Sequence, residues 1–280
     1  MKKSTAPTPN FSVLMSVYGG DDASQFKSAF DSITSQTLRP NEIVLVQDGP
    51  VDKILARTIE ELSKITPELV LVRLRKNGGL GIALREGVKH CSHAYIARMD
   101  SDDISKNDRF EKQLQYLAKN PNIDMVGSDI IEYDEAMENE IARRIVPKIH
   151  DEIIKTLKHR NPFNHVTVIY KKESVLAAGN YLSCPYFEDY YLWCRMAKNG
   201  TRFHNLTDSL VNVRSGMAML GRRGGIKYAS YAIDFQLKVY RLKIIGPSQL
   251  VVNLVTRVAA AITPSRLRSL IYSRALREKA

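Results

Sequence analysis

The stretch Ala94-Tyr95-Ile96-Ala97-Arg98-Met99-Asp100-Ser101-Asp102-Asp103 places three carboxylates within four residues, directly after a short apolar run. Such a run is typical of a buried strand. Carboxylates this close repel one another unless a cation or a strong donor lies among them. A hard divalent ion that carries phosphate oxygens would suit the cluster. The alternative is a solvated turn in which an aspartate caps the following helix, and the stretch alone leaves both readings open.

Strands and helices alternate around this stretch. Apolar runs at residues 11–17, 42–46, 69–74 and 94–97 predict four strands, and helical spacing predicts helices at 23–37, 51–65, 80–91 and 107–119. This alternation with short connections is typical of βαβ units around a mostly parallel central sheet flanked by helices, an α/β fold.

The turns after the four strands contain Tyr18, Asp48, Asn77 and Asp100. Ligands of open α/β sheets bind outside the carboxyl ends of the strands, so these turns predict a nucleotide site. The chain has neither a G-x-G-x-x-G after its first strand nor a G-x-x-x-x-G-K-[ST] loop. A metal is therefore expected to hold the phosphates.

The second half of the chain is less regular. Residues 123–131 predict one or two strands, and residues 141–146 a strand that returns against them. Further segments predict a helix at 151–158, a strand at 165–170, a helix at 187–198 and short strands at 202–206 and 210–214.

Net positive charge is concentrated near the C-terminus. Residues 221–280 hold 12 Lys or Arg and 2 Asp or Glu, whereas the preceding 220 residues hold 29 and 28. Helices are predicted at 226–245 and 247–261, and residues 266–277 alternate leucines with arginines at helical spacing. That pattern favours a helix lying on an anionic membrane surface. The alternatives are a helical pair that caps the domain and, less favoured because no binding motif is present, contact with nucleic acid.

The three cysteines, Cys91, Cys184 and Cys194, have no metal-ligand spacing. Their sparse, odd number favours a reducing cytoplasm. Residues 1–10 lack the apolar core of a signal peptide, and no apolar run reaches the ~18–20 residues that a membrane-spanning helix needs.

The order of motifs over residues 11–228 resembles family 2 glycosyltransferases of the GT-A fold. The matching segments are Ser16-Val17-Tyr18, Gln36-Thr37 with Pro40, Asp48-Gly49, Asn77-Gly78-Gly79-Leu80, Met99-Asp100-Ser101-Asp102-Asp103, Arg109-Phe110 and Phe187-Glu188-Asp189-Tyr190 with Trp193. Two later segments, 213–216 and 222–225, resemble the bacterial polysaccharide branch, which includes amylovoran-type and O-antigen enzymes.

The resemblance implies a donor site for a UDP-sugar. Asp48 resembles the carboxylate that accepts from uracil N3–H, with a turn residue as its alternative, and Tyr18 lies where the family packs against the base. Asp102 resembles the direct ligand of Mn²⁺ or Mg²⁺, and Asp100 the contact to ribose or metal. Asp103 is a supporting residue or a helix cap. Asn77 belongs to the nucleotide loop, and Arg85 or Lys76 meets phosphate or is only a solvated side chain. The uracil turn departs from the family's two-acid pattern, because Gln47 precedes Asp48.

On the acceptor side, the resemblance implies that Asp189 is the general base of an inverting transfer, with Glu188 as the second candidate. Either acid could instead serve only the helix dipole. Possible acceptor or diphosphate contacts are His165, Trp193, Arg214, Arg222 and Arg223. Their alternatives are a structural histidine, a core tryptophan and a basic loop.

The sequence therefore predicts a flexible segment 1–10, a catalytic domain 11–225 and a basic helical tail 226–280. The nucleotide half of the domain is 11–120 and the acceptor half is 121–225. The expected enzyme moves a hexose, glucose or galactose, to a saccharide on undecaprenyl diphosphate, for a bacterial O-antigen, capsule or exopolysaccharide. It would lie peripherally on the cytoplasmic face of the plasma membrane and bind no nucleic acid. The alternatives are a sugar nucleotidyltransferase and a catalytically silent scaffold with the same fold.

Overall fold

The computed structural model describes residues 8–215, 224–263 and the backbone of 278–279. Its first half alternates strands and helices as predicted. The elements are β1 (Phe11–Tyr18), α1 (Ala23–Thr34), β2 (Glu42–Asp48), α2 (Lys53–Ile65), β3 (Leu69–Leu74), α3 (Leu80–His90), β4 (Tyr95–Arg98), a two-residue strand β5 (Ile104–Ser105) that was not predicted, and α4 (Arg109–Lys119).

The second half adds five strands and five helices within the described residues. They are β6 (Met125–Tyr133), β7 (Glu140–Arg144), α5 (His150–Leu157), β8 (Ile169–Lys171), α6 (Lys172–Ala177), α7 (Glu188–Lys198), β9 (Phe203–Arg214), α8 (Gly225–Arg241), α9 (Pro247–Ile262) and β10 (Glu278–Lys279). The predicted return of β7 against β6 is confirmed, since the two strands pair antiparallel.

Two strand predictions in this half are wrong. Residues 165–170 begin with a turn of 3₁₀ helix, His165–Thr167, because Thr167 donates through both its backbone N and its Oγ1 to the Asn164 carbonyl. Such local bonds compete with sheet pairing. Residues 202–206 and 210–214 belong to one strand, β9, which continues through two register shifts against β6 near Asp129.

The central sheet runs in the order β10-β7-β6-β8-β4-β1-β2-β3, with β9 paired to β6 and β5. Strands β3, β2, β1 and β4 are mutually parallel. The register pairs Tyr18 with Asp48 and Asp48 with Leu74. The first three strands therefore end level, and the loops that follow them meet at one edge of the sheet.

Side chains of the sheet alternate between two cores. Val13, Met15 and Leu45 pack on one face with residues of α1, α2 and α4. Leu14, Val44 and Val46 pack on the other face with residues of α3 and α7. Strands β1 and β2 are buried on both faces, which explains their largely apolar sequences, whereas the edge strand β3 is only partly buried.

Helices α8 and α9 cap this second core. The ring of Phe235 on α8 stacks on Phe187 with centroids 4.7 Å apart. On α9, Asn253 Nδ2 donates to Gln236 Oε1 and to the Lys158 carbonyl, both at 2.9 Å. The capping alternative therefore describes these two helices, whereas the amphipathic segment 266–277 lies outside the described residues. In the described part of the chain, no helix has the length and apolar character to cross a membrane.

Candidate active site

The carboxylate loop follows β4 and is fastened to the end of β9. Asp103 is buried, and its Oδ1 accepts from the backbone N of Arg214 at 2.8 Å. The Nε of Arg214 donates to the Asp102 carbonyl at 3.1 Å. Helix α4 begins only at Arg109, after Asp108. Asp103 therefore does not cap a helix and instead supports the loop.

Arg98 lies beneath this loop and was missed by the sequence analysis. Its side chain is fully buried and forms an ion pair with Asp100. Its Nε and Nη1 have no hydrogen-bond acceptor among the described residues. The sequence shows Arg98 only as the last residue of an apolar strand, so its burial gave no signal.

Two acids of the loop, Asp102 and Asp103, have raised pKa values because they lose solvent and lie close to other carboxylates. Partial loss of solvent, and then the charges of Asp100 and Asp21, raise the pKa of Asp102 to about 6. Burial, followed by Asp100 and Asp102, raises the pKa of Asp103 well above its usual value. Each of these acids would be relieved of repulsion by a cation.

Asp21, in the loop after β1, is a second residue that the sequence analysis missed. Its Oδ2 accepts from Ser101 Oγ at 2.9 Å and from the backbone N of Tyr18 at 3.1 Å. Burial first, and then the charge of Asp100, raise its pKa against these two hydrogen bonds. Asp21 thus joins the first strand-end loop to the fourth. The only signal in the sequence was a polar turn, Gly19-Gly20-Asp21-Asp22.

No three His, Cys, Asp or Glu side chains within the described ranges form a ready-made metal site. The donor set nevertheless fits a hard divalent cation, because Asp102 keeps part of its surface exposed beside Asp100 and Asp21. The residues that would hold such an ion are Asp102 and Asp100.

Asp48 fixes the loop after β3. Its two carboxylate oxygens accept from the backbone N of Gly78 at 2.7 Å and of Gly79 at 2.9 Å. Next to it, Gly49 has φ +85°, and a Cβ there would lie 2.4 Å from Asn77 N. Only glycine allows this approach. The pair Asp48-Gly49 therefore joins the second and third strand-end loops, and a contact of Asp48 to a base remains a prediction.

The other predicted nucleotide contacts lie on the surface around these loops. Tyr18 is 42% exposed and is the last residue of β1. Asn77 is exposed, and its Oδ1 accepts from Gly79 N at 3.1 Å. Arg85 and Lys76 are also exposed. Their roles toward a ligand stay predictions.

A cleft of about 310 Å³ extends from the carboxylate loop to α7. Asp100 and Asp103 line one part, and Asp189, in the first turn of α7, lines another. Asn161 orients Asp189, because its Nδ2 donates to Asp189 Oδ2 at 2.6 Å. The structure thus brings the predicted base and the carboxylate loop to the same cavity, through an asparagine that the sequence analysis did not identify.

Glu188 diverges from Asp189. A Cβ on Gly81, in the first turn of α3, would lie 2.9 Å from Glu188 Cγ, so the side chain packs beside the nucleotide loops. Burial, and to a smaller extent the charge of Asp189, raise its pKa to about 7. The two neighbouring acids therefore occupy different environments.

The predicted acceptor contacts separate in the structure. Trp193 is 0% exposed and packs edge-on against Phe163 in the core, so it has no surface to offer an acceptor, and that prediction is wrong. His165 does line the cleft, with Nε2 hydrogen-bonded to Tyr181 at 2.9 Å. Burial and then the charge of Arg98 hold its pKa well below the usual value, so it is neutral. Tyr186, 49% exposed, is an aromatic residue that does line the cleft.

Arg214 lies at the carboxylate loop, where its side chain donates to the carbonyls of Asp102 and Glu135. Arg222 and Arg223 lie outside the described residues. The proposed diphosphate contacts of all three arginines remain predictions.

Solved structures share this architecture. The chain superposes on residues 1–349 of TarS from S. aureus in complex with UDP-GlcNAc with a TM-score of 0.65, at 16% identity, over 95% of this chain and 76% of that one. It also superposes on the mannosyltransferase PcManGT from Pyrobaculum calidifontis, in complex with GDP-Man and Mn²⁺, with a TM-score of 0.63, at 16% identity, over 96% and 76% of the two chains. The predicted GT-A fold is confirmed.

A sequence model described as Glycosyl transferase family 2 matches residues 12–180. The chain belongs to this family and is a glycosyltransferase. It is 39% identical to the amylovoran biosynthesis glycosyltransferase AmsE of Erwinia amylovora, over 84% of this chain and 85% of the relative. It is 34% identical to a UDP-Gal:alpha-D-GlcNAc-diphosphoundecaprenol beta-1,3-galactosyltransferase of Escherichia coli, over 96% and 98%. The resemblance to the bacterial polysaccharide branch is confirmed, and family membership favours a transferase over the two alternatives.

Proposed function

We propose that this glycosyltransferase moves a hexose, glucose or galactose, from a UDP-sugar to a saccharide carried on undecaprenyl diphosphate. The transfer inverts the anomeric centre, requires Mn²⁺ or Mg²⁺, and serves the synthesis of a bacterial surface polysaccharide. The relatives named for amylovoran biosynthesis and for transfer to a diphosphoundecaprenol acceptor support the pathway and the acceptor class.

The observation that carries the mechanism is the shared cleft of Asp189 and the carboxylate loop. Asp189 lines the same cavity as Asp100 and Asp103, so an acceptor hydroxyl beside Asp189 would face a donor diphosphate at the loop. An inverting transfer needs a base on the side of the sugar opposite the leaving group. Asp189 fits this position because it opens toward the cleft while Asn161 holds one of its oxygens.

The reaction follows from these positions. Asp189 accepts the proton of the acceptor hydroxyl, the hydroxyl oxygen bonds to the anomeric carbon, and the bond from that carbon to the diphosphate breaks to release UDP. A metal held by Asp102 and Asp100 would stabilise the negative charge that develops on the diphosphate. Arg98 beneath Asp100 keeps the loop in place during these changes.

The donor would lie over the joined strand-end loops. Tyr18 offers an exposed ring beside Asp21, and Asp48 orders the Gly78–Gly79 backbone. The remaining lone pairs of Asp48 are available for uracil N3–H. Glu188 packs beside α3 and would therefore contact the donor rather than the acceptor.

Membrane attachment would use the outer face of α9. Val251, Val255 and Ile262 are 60%, 64% and 66% exposed on one side of this helix, and the basic residues 266–277 follow it. Exposed apolar side chains next to arginines suit the surface of an anionic bilayer.

The enzymatic proposal is tested with purified protein, a panel of UDP-sugars, Mn²⁺ or Mg²⁺ and a lipid-diphosphate saccharide. Asp189→Asn and Asp102→Ala should each abolish release of UDP. Asp134→Asn is the matched control, because Asp134 also accepts from an asparagine amide at 2.6 Å but lies in the exposed β6–β7 turn. Full activity of the Asp189 or Asp102 variant would refute the assigned role, and pyrophosphate as product would indicate a nucleotidyltransferase.

The membrane proposal is tested by sedimentation with vesicles that contain anionic lipid. Val251→Asn with Val255→Asn, and separately removal of residues 264–280, should each reduce the bound fraction. Ile54→Asn on α2 is the control, because Ile54 is 71% exposed on a helix far from the tail in sequence. If all these variants sediment like the wild type, α9 and the tail are not the attachment surface.

A further inference from the structure

The inner face of α9 reaches the catalytic cleft. Arg257 lines the same cavity as Asp189. Its guanidinium lies 5.6 Å from the ring centroids of Phe187, Tyr190 and Phe235. Residues 253, 257 and 261 recur at helical spacing on this face, opposite the exposed valines of the same helix. Helix α9, which the sequence analysis placed in the basic helical tail, thus contributes a cation to the active-site cleft.

A second arginine lines the same cleft. Arg257 Nη2 donates to the carbonyl of His159 at 3.0 Å, and the next residue, Arg160, also lines the cleft. Neither arginine forms an ion pair with any of the described residues. The Nε of Arg257 is buried without a hydrogen-bond acceptor among those residues. An anion in the cleft would supply the acceptor that this buried Nε lacks, and the exposed guanidinium of Arg160 would bind the same anion.

The position of these arginines identifies the anion. The donor diphosphate is assigned to the carboxylate loop, whereas Arg257 and Arg160 lie with Asn161 and Tyr190, next to Asp189. An anion between the two arginines would therefore be attached to the acceptor rather than to the donor. Guanidinium groups pair with phosphate oxygens through two parallel hydrogen bonds.

We propose that Arg257 and Arg160 bind the diphosphate to which the acceptor saccharide is attached. This inference rests on the proposed function, since it requires an acceptor that carries phosphate. It also gives α9 two roles. Its outer face would lie toward the lipid, while its inner face holds the charged head of the lipid-linked acceptor beside the base.

Direct binding tests the arginines without catalysis. Decyl diphosphate is titrated into the full chain in the presence of UDP and Mn²⁺, and UDP is titrated separately. Arg257→Gln and Arg160→Gln should each raise the Kd for decyl diphosphate at least about tenfold, or about 1.4 kcal/mol, and leave the Kd for UDP unchanged. Arg241→Gln, an exposed arginine at the end of α8, is the matched control and should bind both probes like the wild type.

Arg257→Lys, which keeps the positive charge, should restore part of the affinity that Arg257→Gln loses. Arg160 is exposed, so its substitution tests the site even if Arg257→Gln loosens α9. The inference is overturned if the wild type does not bind decyl diphosphate, if both glutamine variants bind it like the wild type, or if UDP binding falls by the same factor.

Transfer kinetics separate this inference from the proposed function. With a sugar on a lipid diphosphate, the two glutamine variants should show a raised KM for the acceptor and a nearly unchanged kcat. With the same sugar as a neutral alkyl glycoside they should match the wild type. If the wild type transfers equally well to both acceptors, the phosphate subsite is refuted while the transferase function stands. If it transfers to neither, the proposed acceptor class fails, and the binding titration still decides whether the arginines hold a diphosphate.

Discussion

Replacing Asn161 by alanine tests whether the orientation of Asp189 controls the transfer. The 2.6 Å bond from Asn161 Nδ2 to Asp189 Oδ2 is a hydrogen bond to a charged group, which contributes about 1.5–3 kcal/mol. Asp189 is half-exposed to the cleft, so the lower end of that range, about 1.5 kcal/mol, is appropriate. If the bond orients the base in the transition state, kcat should fall by about tenfold, while the KM for the UDP-sugar stays nearly the same.

The assay measures UDP release at saturating donor and acceptor, with thermal unfolding as a check of folding because Asn161 Oδ1 also accepts from Phe163 N at 3.2 Å. Asn139→Ala is the matched control, since it removes an amide-to-carboxylate bond of the same 2.6 Å length, to Asp134, in an exposed turn. The reasoning is refuted if Asn161→Ala keeps full kcat, or if Asn139→Ala lowers kcat by the same factor.

Three further outcomes are expected. The pKa of Asp103 is raised in the folded protein, so at a pH above its pKa in the unfolded chain the ionised carboxylate lowers the free energy of unfolding. Asp103→Asn should therefore raise Tm at pH 7.5, by about 2–4 °C per kcal/mol. Calorimetry should show a smaller gain at pH 4. Because the pKa of Asp102 is about 6, protons should compete with the metal, and isothermal titration should show Mn²⁺ affinity falling about tenfold per unit below pH 6; an affinity independent of pH would exclude Asp102 as a ligand. A Cβ on Gly87 would lie 2.2 Å from Leu14 Cδ1, so Gly87→Ala should cost about 1–3 kcal/mol in denaturant unfolding, whereas Gly246→Ala, where an added Cβ meets nothing within 4 Å, should cost less.

The first half of the fold could be predicted because its central strands β1 and β2 are buried on both faces. Runs such as residues 43–46 are apolar throughout, and each is followed by a turn with Gly, Asp or Asn, so both ends of the strand can be recognised in the sequence. In the second half of the chain, similar cues predict strand ends that the structure does not have. Thr207 and Asp208 suggest the end of a strand, yet β9 continues through them as a bulge, since the consecutive residues Ser128 and Asp129 of β6 pair with Leu206 and Ser209.

The candidate site was predictable to the extent that its residues follow strands. Asp48 and Asp102 stand within a few residues of the ends of apolar runs, where topology alone implies a ligand edge. Asn161 and Arg257 gave no such signal, since their importance comes from contacts across 28 and 98 positions of the chain. Trp193, in contrast, was predicted as an acceptor contact but is buried in the core. An aromatic residue near the predicted base suggested a sugar platform, but its position on α7 turns it into the core.

The environments of the acids support the proposed division of roles between them. Asp102 and Asp103 are crowded by other carboxylates, and their raised pKa values mark a place where added positive charge lowers the energy. Asp189 instead accepts from the Asn161 amide and lies in the cleft beyond the loop. Acids whose environments differ in this way perform different chemistry. The carboxylate loop therefore suits the leaving diphosphate and its metal, and Asp189 suits the proton of the acceptor hydroxyl.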